Sequence, residues 1–302
     1  MENHLFVTGL AREAMIYLDG RKIEDFLQGQ LTCDLRQLRP ETAVHGALCS
    51  VKGRVISDLW VLKLSDERCM LRLRRSLAQS FAEHLARFAQ FSRIKVTLDA
   101  QDEAVVGVYS EDPERLPLEA PGACRASDGA LLLRSGEAQA QVILSSAGSG
   151  ASDPITEVLA AINCTADAEG TEEAWRAEGL RWGHYALEAG DSERFTPQAL
   201  NYDERGLVSF QKGCYTGQEV VARLHYKGKS KQRLQVFETP AGGEAETGSS
   251  LFLDEINVGT VLRRETALSG QSIVAAMVAA QHRDTVLTAE QGERLIPVRP
   301  VA

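Results

Sequence analysis

The segment from Phe210 to Glu219 holds the residues of this chain that are best suited to chemistry. It reads Phe-Gln-Lys-Gly-Cys-Tyr-Thr-Gly-Gln-Glu, so a lysine and a cysteine lie among two glycines and several hydrogen-bonding side chains. Glycine tolerates positive φ angles, which lets the segment turn sharply and direct Lys212, Cys214 and Gln218 toward one point. We interpret it as a loop that forms a functional site.

Lys212 and Cys214 are the candidates for the reactive groups of this loop. A nearby ammonium lowers the pKa of a thiol from about 8.5 toward neutrality, and the thiolate is the form that performs nucleophilic, redox or metal chemistry. From the residues alone, a structural role for Cys214 stays open, because free cysteines more often serve as small buried hydrophobes.

A second candidate is the helix predicted to start after Thr171. On it Trp175, Gly179 and Trp182 fall at i, i+4 and i+7, so two indoles flank a gap on one helical face. Such a gap would accept a flat ring, although tryptophans at this spacing are more often core residues.

Five basic residues without an acid follow the loop at odd positions: Arg223, Lys227, Lys229, Lys231 and Arg233. In an extended segment they would share one face, opposite Leu224 and Tyr226. This face would be either a solvated surface or an anion-binding site.

The composition limits the classes of function. The net charge of −9 argues against indiscriminate nucleic-acid binding, so direct nucleic-acid binding is not expected. No signal peptide and no apolar run of about 18 residues is present, which predicts a cytoplasmic protein without membrane contact. The six cysteines form no Cys-x-x-Cys pair, so no disulfide framework or metal site of its own is expected. We expect a monomer.

Hydrophobic periodicity predicts an α+β fold. Strands are expected at 13–18, 43–50, 54–63, 69–74, 93–98, 104–109, 130–134 and 140–144. Helices are expected at 22–29, after a cap at Ser76, at 154–162 behind a link at 145–153, and after Thr171. Beyond residue 232, short strands separated by glycines indicate a barrel, so we predict a core over 1–228 and a barrel domain over 229–302.

Lys-Gly-Cys-Tyr-Thr-Gly-Gln-Glu, followed by Val-Val-Ala-Arg, resembles the signature of the YgfZ family, folate-binding proteins that support iron–sulfur enzymes and tRNA modification. Residues 26–34, residues 45–58, Pro197-Gln198 and Asn201 resemble other segments of that family. Its members are relatives of the glycine-cleavage T-protein, an aminomethyltransferase that uses tetrahydrofolate. The resemblance implies a T-protein-like fold with two interleaved ferredoxin-like units and a C-terminal β-barrel.

The resemblance also implies a cofactor and partners. The cofactor would be tetrahydrofolate or a one-carbon derivative, with the ring of Trp175 in contact with it. The partners would be iron–sulfur client enzymes such as a tRNA methylthiotransferase. Further residues expected at the folate or around the loop are Gln30, Asp34, Arg181, Tyr215, Gln218, Glu219 and Arg223.

The chain departs from the T-protein at two places. The T-protein's Gly-Gly-x-x-Asp-Asp block appears at 53–58 with Arg54 and Ser57 as replacements, and Arg181 stands where the T-protein has a glutamate that can bind the pterin. A guanidinium offers no acceptor. We therefore predict an accessory factor for iron–sulfur cluster assembly or repair.

The alternatives are a folate-dependent one-carbon transferase or demethylase, and a tRNA-binding module that uses the 223–233 face. A pairing of Asp34 with Asp58 as acid and base is a further possibility, but isolated carboxylates are usually surface residues.

Overall fold

The computed structural model describes residues 5–99, 103–110, 112–127, 129–145, 156, 159, 168–239, 243 and 245–298. The link predicted at 145–153 and the helix predicted at 154–162 lie almost entirely outside these residues.

The first sheet has five strands in the order β3-β4-β5-β2-β6. Their bounds are β2 Glu13–Asp19, β3 Ala43–Cys49, β4 Val55–Ser65, β5 Arg68–Arg74 and β6 Lys95–Leu98. Helices α1 (Ile23–Gln28) and α2 (Arg75–Ala89) contribute Phe26, Leu27, Phe81 and Leu85 to a core beneath this sheet. The other face is covered as well, which explains why β4 is apolar on both sides along much of its length.

The second sheet has six strands in the order β11-β1-β7-β10-β9-β8. Their bounds are β1 Leu5–Gly9, β7 Glu103–Ser110, β8 Cys124–Ser127, β9 Ala130–Arg134, β10 Gln139–Ser145 and β11 Ala168–Glu169. Strand β1 precedes the first sheet in the chain but pairs with β7 and β11 of the second. The two units are therefore interleaved, as predicted, although the sequence pattern missed β1 and β8.

The C-terminal strands close into a barrel in the order β12-β15-β14-β13-β16-β17. Their bounds are β12 Gln232–Thr239, β13 Ser250–Leu253, β14 Ile256–Thr266, β15 Ser272–Ala279, β16 Leu287–Ala289 and β17 Arg294–Val298. The inner side of the barrel is filled by Phe237, Leu251, Val274 and other apolar side chains. Helix α3 (Glu172–Arg181) packs against β14 and β15 and so connects the barrel to the second sheet.

Two local predictions were wrong. Helix α2 begins at Arg75 without a side-chain cap, because the hydroxyl of Ser76 donates instead to the Glu188 carboxylate. The segment 223–233 is not a strand along its length, since helix α4 spans Gln218–Lys227 and only β12 beyond it is extended. The buried side chain of Val221 packs α4 against the core. By contrast, the N-cap at Thr171 is present, and its side chain accepts from the Ala174 N–H.

In the described part of the chain, no helix combines the length and the apolar character needed to cross a membrane.

Candidate functional site

A cavity lies where the two sheets, helix α3 and the barrel meet, and we call it the central cavity. It is lined by Glu13, His45, Asp58, Trp60, Arg72, Ser135, Gln139, Gln141, Trp175, Arg176, Gly179, Leu180, His184, Tyr185, Ala186, Tyr202, Arg205, Arg263 and Glu265. Its free volume is about 50 Å³. An outer recess of about 490 Å³ shares the side chains of His45, Trp60, Ser135, His184 and Arg205 with it.

Neighbouring strands β3 and β4 bring His45, Asp58 and Trp60 together. His45 lies opposite Trp60 in the strand register, and the two rings stack with centroids 4.4 Å apart. His45 Nε2 is 3.4 Å from Asp58 Oδ2. Burial lowers the pKa of His45. Burial also opposes the ionisation of Asp58, but the hydrogen bond with His45 and the positive charge of Arg72 bring the net pKa of Asp58 below its ordinary value. The pair therefore combines a neutral imidazole with a carboxylate near neutral pH.

A second histidine is held by Arg205. The guanidinium donates to His184 Nδ1 over 2.8 Å and also to the carbonyl of Gly183. Because Nδ1 accepts, the proton of the neutral imidazole lies on Nε2. Burial and the charge of Arg205 hold the pKa of His184 well below its ordinary value. His184 is thus a fixed donor beside the His45 ring, 6.4 Å away between centroids.

Buried ion pairs form one wall of the cavity. Glu13 is 0% exposed, and its carboxylate receives Arg72 at 2.9 Å and Arg74 at 2.6 Å. Arg176 makes a two-point contact with Glu265, with N–O distances of 2.8 and 2.9 Å. Charges removed from water require such partners, because the cost of an unpaired buried charge is several kcal/mol.

Several buried polar atoms of the lining have no hydrogen-bond partner among the described residues. They are Glu13 Oε2, Arg72 Nε, Gln141 Oε1 and Nε2, Trp175 Nε1 and Tyr202 OH. Buried polar groups in folded proteins are usually satisfied, so a cluster of unsatisfied donors and acceptors indicates a place for a polar ligand.

The signature loop, residues 210–217, lies at another place. Cys214 is exposed at its tip, whereas Lys212 is only 7% exposed. The Lys212 ammonium donates to the carbonyls of Leu31 at 2.6 Å and Cys33 at 2.7 Å, and it lies 5.2 Å from the centroid of the Tyr215 ring. Burial lowers the pKa of Lys212 to about 8. Lys212 therefore anchors the loop, and one of its three donors is left for other contacts.

The glycines of the loop allow a close approach to the β3–β4 hairpin. Gly217 has φ +83°, and a Cβ at this position would lie 2.3 Å from the carbonyl oxygen of Ser50. The Thr216 N–H donates to the Gly29 carbonyl over 3.2 Å. The three segments that carry the family resemblance, around residues 26–34, 45–58 and 210–223, thus meet in space. The hairpin reaches from the central cavity at Asp58 to the loop at Gly53.

Of the residues predicted to bind folate, Trp175 lines the central cavity and packs tightly against Gly107. Trp182 is not among the lining residues, so the gap between Trp175 and Trp182 does not form this cavity. The second indole at the cavity is Trp60, from β4.

Arg181 also lies outside the lining, because its guanidinium is bound to Glu178 and Glu238 at 3.0 Å each. It therefore ties α3 to the barrel.

The remaining predicted residues lie near the signature loop rather than at the cavity. Asp34 binds Arg36 and Gln28, and the hydrogen bonds from Arg36 are the main reason that its pKa is lowered. Asp34 is thus separated from Asp58, and the two do not form an acid–base pair. Gln30 and Tyr215 each have a buried oxygen without a partner among the described residues. Gln218, Glu219 and Arg223 belong to α4.

Sequence reasoning missed Trp60, Arg72, Gln141, Tyr202 and Arg205 as cavity residues. Arg72 in the apolar β5 carried the clearest signal, because a charge inside a buried strand requires a partner.

No family model matches the chain. The tRNA-modifying protein YgfZ of Escherichia fergusonii is 30% identical over 283 residues, which cover 88% of this chain and 82% of that protein. The chain belongs to the YgfZ family. The YgfZ protein of Shigella boydii serotype 4 is 29% identical with the same coverage. Membership confirms the resemblance seen in the sequence and supports a role related to tRNA modification.

A solved structure confirms the fold. The glycine cleavage system aminomethyltransferase T from Bartonella henselae matches 98% of this chain and 86% of its own with a TM-score of 0.75. The identity is 17%, so this likeness establishes the T-protein-like fold alone.

Proposed function

We propose that the central cavity binds a reduced folate, and that the protein uses it as an accessory factor in tRNA modification. Its clients would be iron–sulfur enzymes such as a tRNA methylthiotransferase, whose clusters it helps to assemble or repair. The observation that carries this proposal is that the cavity is lined by two indoles and by several buried donors and acceptors without a partner among the described residues.

The donor and acceptor set suits a pterin. A pterin is flat and carries amino, ring N–H, carbonyl and ring nitrogen groups along its edge, so it needs acceptors as well as donors. Among the described residues, Glu13 Oε2 and Gln141 Oε1 are acceptors without a partner, and Arg72 Nε, Gln141 Nε2 and Trp175 Nε1 are donors without one. An indole face adds stacking with a flat ring, as in nucleobase recognition.

The volumes of the central cavity and the outer recess suggest which part of a folate would lie in each. The inner cavity has room for only a few water molecules, so the ligand would extend into the outer recess. Among the described residues, Arg205 is the sole lysine or arginine that lines this recess. We assign the negatively charged glutamate tail to the Arg205 side and the pterin edge to Glu13 and Gln141.

When bound, tetrahydrofolate supplies a one-carbon unit or reducing equivalents. The residues of the chain would bind the ligand, orient it and accept a proton. His45 and Asp58 hold a proton-accepting pair beside the ligand, and the two indoles orient a flat ring. Cys214 does not line the cavity, and the strand from Val55 to Asp58 alone separates the hairpin turn near the loop from Asp58 by on the order of 10 Å. We therefore assign the thiol to a step on the client protein at the surface.

Fluorescence titration tests the folate site. Trp60 and Trp175 line the cavity and Trp182 does not, so the three indoles provide an internal control. Adding 5-formyl-tetrahydrofolate should quench the wild type and Trp182→Phe alike, whereas Trp175→Phe should lose a large part of the quench. Gln141→Leu should weaken binding about tenfold, the effect of removing about one hydrogen bond. Absence of binding, or quenching that depends on Trp182, would refute the folate site.

The accessory role has its own measurement. In a bacterial strain that lacks its relative of this protein, the wild type should restore methylthiolated nucleosides in tRNA, and Gln141→Leu should restore fewer. If the wild type and Gln141→Leu restored these nucleosides equally, folate binding would not be required for tRNA modification.

The His45–Asp58 pair favours a second candidate, a folate-dependent one-carbon transferase or demethylase. A carboxylate beside a neutral imidazole can accept a proton from an amine or a folate nitrogen. Turnover of methylene-tetrahydrofolate or methylated amines, abolished in Asp58→Asn, would establish this activity. Lack of turnover by a protein that binds folate would leave the accessory role.

A further inference from the structure

Helix α4 places a tyrosine among the basic residues that the sequence pattern had put on the opposite side. Because residues 218–227 are helical, Arg223, Tyr226 and Lys227 fall at i, i+3 and i+4 and share one exposed face. Together with Ala222 they line a shallow depression of about 510 Å³. We call this surface, extended by the exposed Lys229 after the helix, the α4 face.

The positive charge of the α4 face is not neutralised by the residues that the structure describes. Within the ranges that the structure describes, no carboxylate lies within ion-pair distance of Arg223, Lys227 or Lys229. Arg233 does not belong to this face, because its guanidinium binds Asp203 at 2.8 Å. The single acid of the helix is Glu219 in its first turn. The face therefore offers unpaired cations in a chain of net charge −9.

Tyr226 is 67% exposed, yet its ring is held in place. Phe210 stacks on His225 with ring centroids 3.6 Å apart, and Tyr226 meets both rings edge-on, at 6.2 Å from Phe210 and 4.8 Å from His225. These contacts with Phe210 and His225 leave one face of the Tyr226 ring exposed to solvent. Phe210 also begins the signature loop, so the α4 face adjoins the segment that carries Cys214.

We propose that the α4 face binds a single-stranded region of an RNA, with the cations on the phosphates and one base on Tyr226. The positive charge of the α4 face favours a polyanionic ligand. The exposed ring of Tyr226 can stack on a flat base, which favours a nucleic acid over an acidic peptide. The overall negative charge repels RNA elsewhere, which confines contact to this surface. This inference goes beyond the folate site and does not depend on it.

Fluorescence anisotropy of the full chain with a labelled uridine 15-mer tests the proposal, with unfractionated tRNA as competitor. The double reversal Arg223→Glu/Lys227→Glu should weaken binding at least tenfold at 50 mM salt. It should also reduce the slope of log K against log salt by about 0.7 for each phosphate that the variant no longer neutralises. Tyr226→Ala should weaken binding about tenfold because it removes base stacking, without a change in that slope.

The matched control is Arg87→Glu/Lys95→Glu, which changes the net charge by the same amount as Arg223→Glu/Lys227→Glu. Both of its residues are exposed, on α2 and on β6, and β6 is the edge strand of the first sheet at the end opposite β3. It should retain wild-type affinity within about twofold. Equal weakening by the control, or an unchanged affinity in Tyr226→Ala, would overturn the proposal. If no RNA binds while the double reversal abolishes tRNA modification in cells, the face docks an acidic protein and the RNA proposal is wrong. Titration of the same variants with 5-formyl-tetrahydrofolate measures folate binding at the central cavity independently of RNA binding.

Discussion

The central cavity and the signature loop differ in how the chain builds them. The cavity takes residues from β2, β3, β4, β5, β10, α3 and the barrel, and most of them are buried. The loop is one continuous segment whose cysteine is exposed. A contiguous segment shows its chemistry in the sequence, whereas a cavity assembled from distant residues does not.

The two regions also use charge differently. Glu13 at the cavity is paired with two arginines, while Lys212 under the loop is held by two backbone carbonyls. Substitutions in the cavity wall should therefore disturb the whole fold, and substitutions at the loop tip should disturb function alone. The predictions below test this contrast, ordered by their expected effect on the free energy of unfolding.

Glu13→Gln should have the largest effect. It leaves the buried Arg72 guanidinium without its carboxylate partner, at a cost of about 3–5 kcal/mol, while Arg74 keeps its ion pair with Glu188. The control is Glu67→Gln, which breaks the exposed pair with Arg21 and should cost at most about 1 kcal/mol. Urea denaturation measures both. A similar loss in the two variants would remove the distinction between the cavity wall and the surface.

Lys212→Met should come next. It removes charged hydrogen bonds to the Leu31 and Cys33 carbonyls, each worth about 1.5–3 kcal/mol, and part of this is recovered by the apolar side chain. Lys227→Met on the exposed α4 face should stay within about 0.5 kcal/mol of the wild type. Urea denaturation and the rate of Cys214 alkylation report on stability and loop order. Wild-type values for Lys212→Met would show that the loop does not need its anchor.

The third prediction concerns alkaline pH. Burial raises the pKa of the Cys49 thiol from its ordinary value near 9 to about 12. Because the unfolded chain releases this proton first, the stability that Cys49 provides is complete below pH 9 and declines as pH rises toward 12. Cys49→Ala should therefore reduce the pH dependence of unfolding above pH 9 by about 1.4 kcal/mol per pH unit. An unchanged pH dependence in Cys49→Ala would contradict the assignment.

Cys214→Ser should have the smallest effect on stability, within about 0.5 kcal/mol of the wild type, because the thiol is exposed. We nevertheless expect it to abolish the restoration of methylthiolated nucleosides in a strain that lacks its own relative. Full restoration by the serine variant would show that the Cys214 thiol is not needed for tRNA modification.

Local sequence patterns predicted much of the fold. Leu77, Phe81 and Leu85 recur at helical spacing and form the buried side of α2, and apolar residues in β4 marked a strand covered on both faces. The start of α3 after Thr171 was also predicted, and the Thr171 side chain caps this helix by accepting from the Ala174 N–H. The segment after Gly217 was predicted incorrectly, because a short polar stretch takes its conformation from the contacts of residues such as Val221.

The sequence by itself determined an α+β fold and the loop that presents Cys214, because each depends on contiguous residues or on periodicity along one element. The motifs pointed to the family, and the interleaved units were expected only through that resemblance. Only the tertiary structure decided that Trp60 rather than Trp182 joins Trp175, that Arg181 is bound by carboxylates, and that Tyr226 lies beside Arg223 and Lys227. These facts depend on which elements meet and on the conformation of a short helix. The physical reason is that burial and ion pairing act between residues far apart in the chain, as between Glu13 and Arg74.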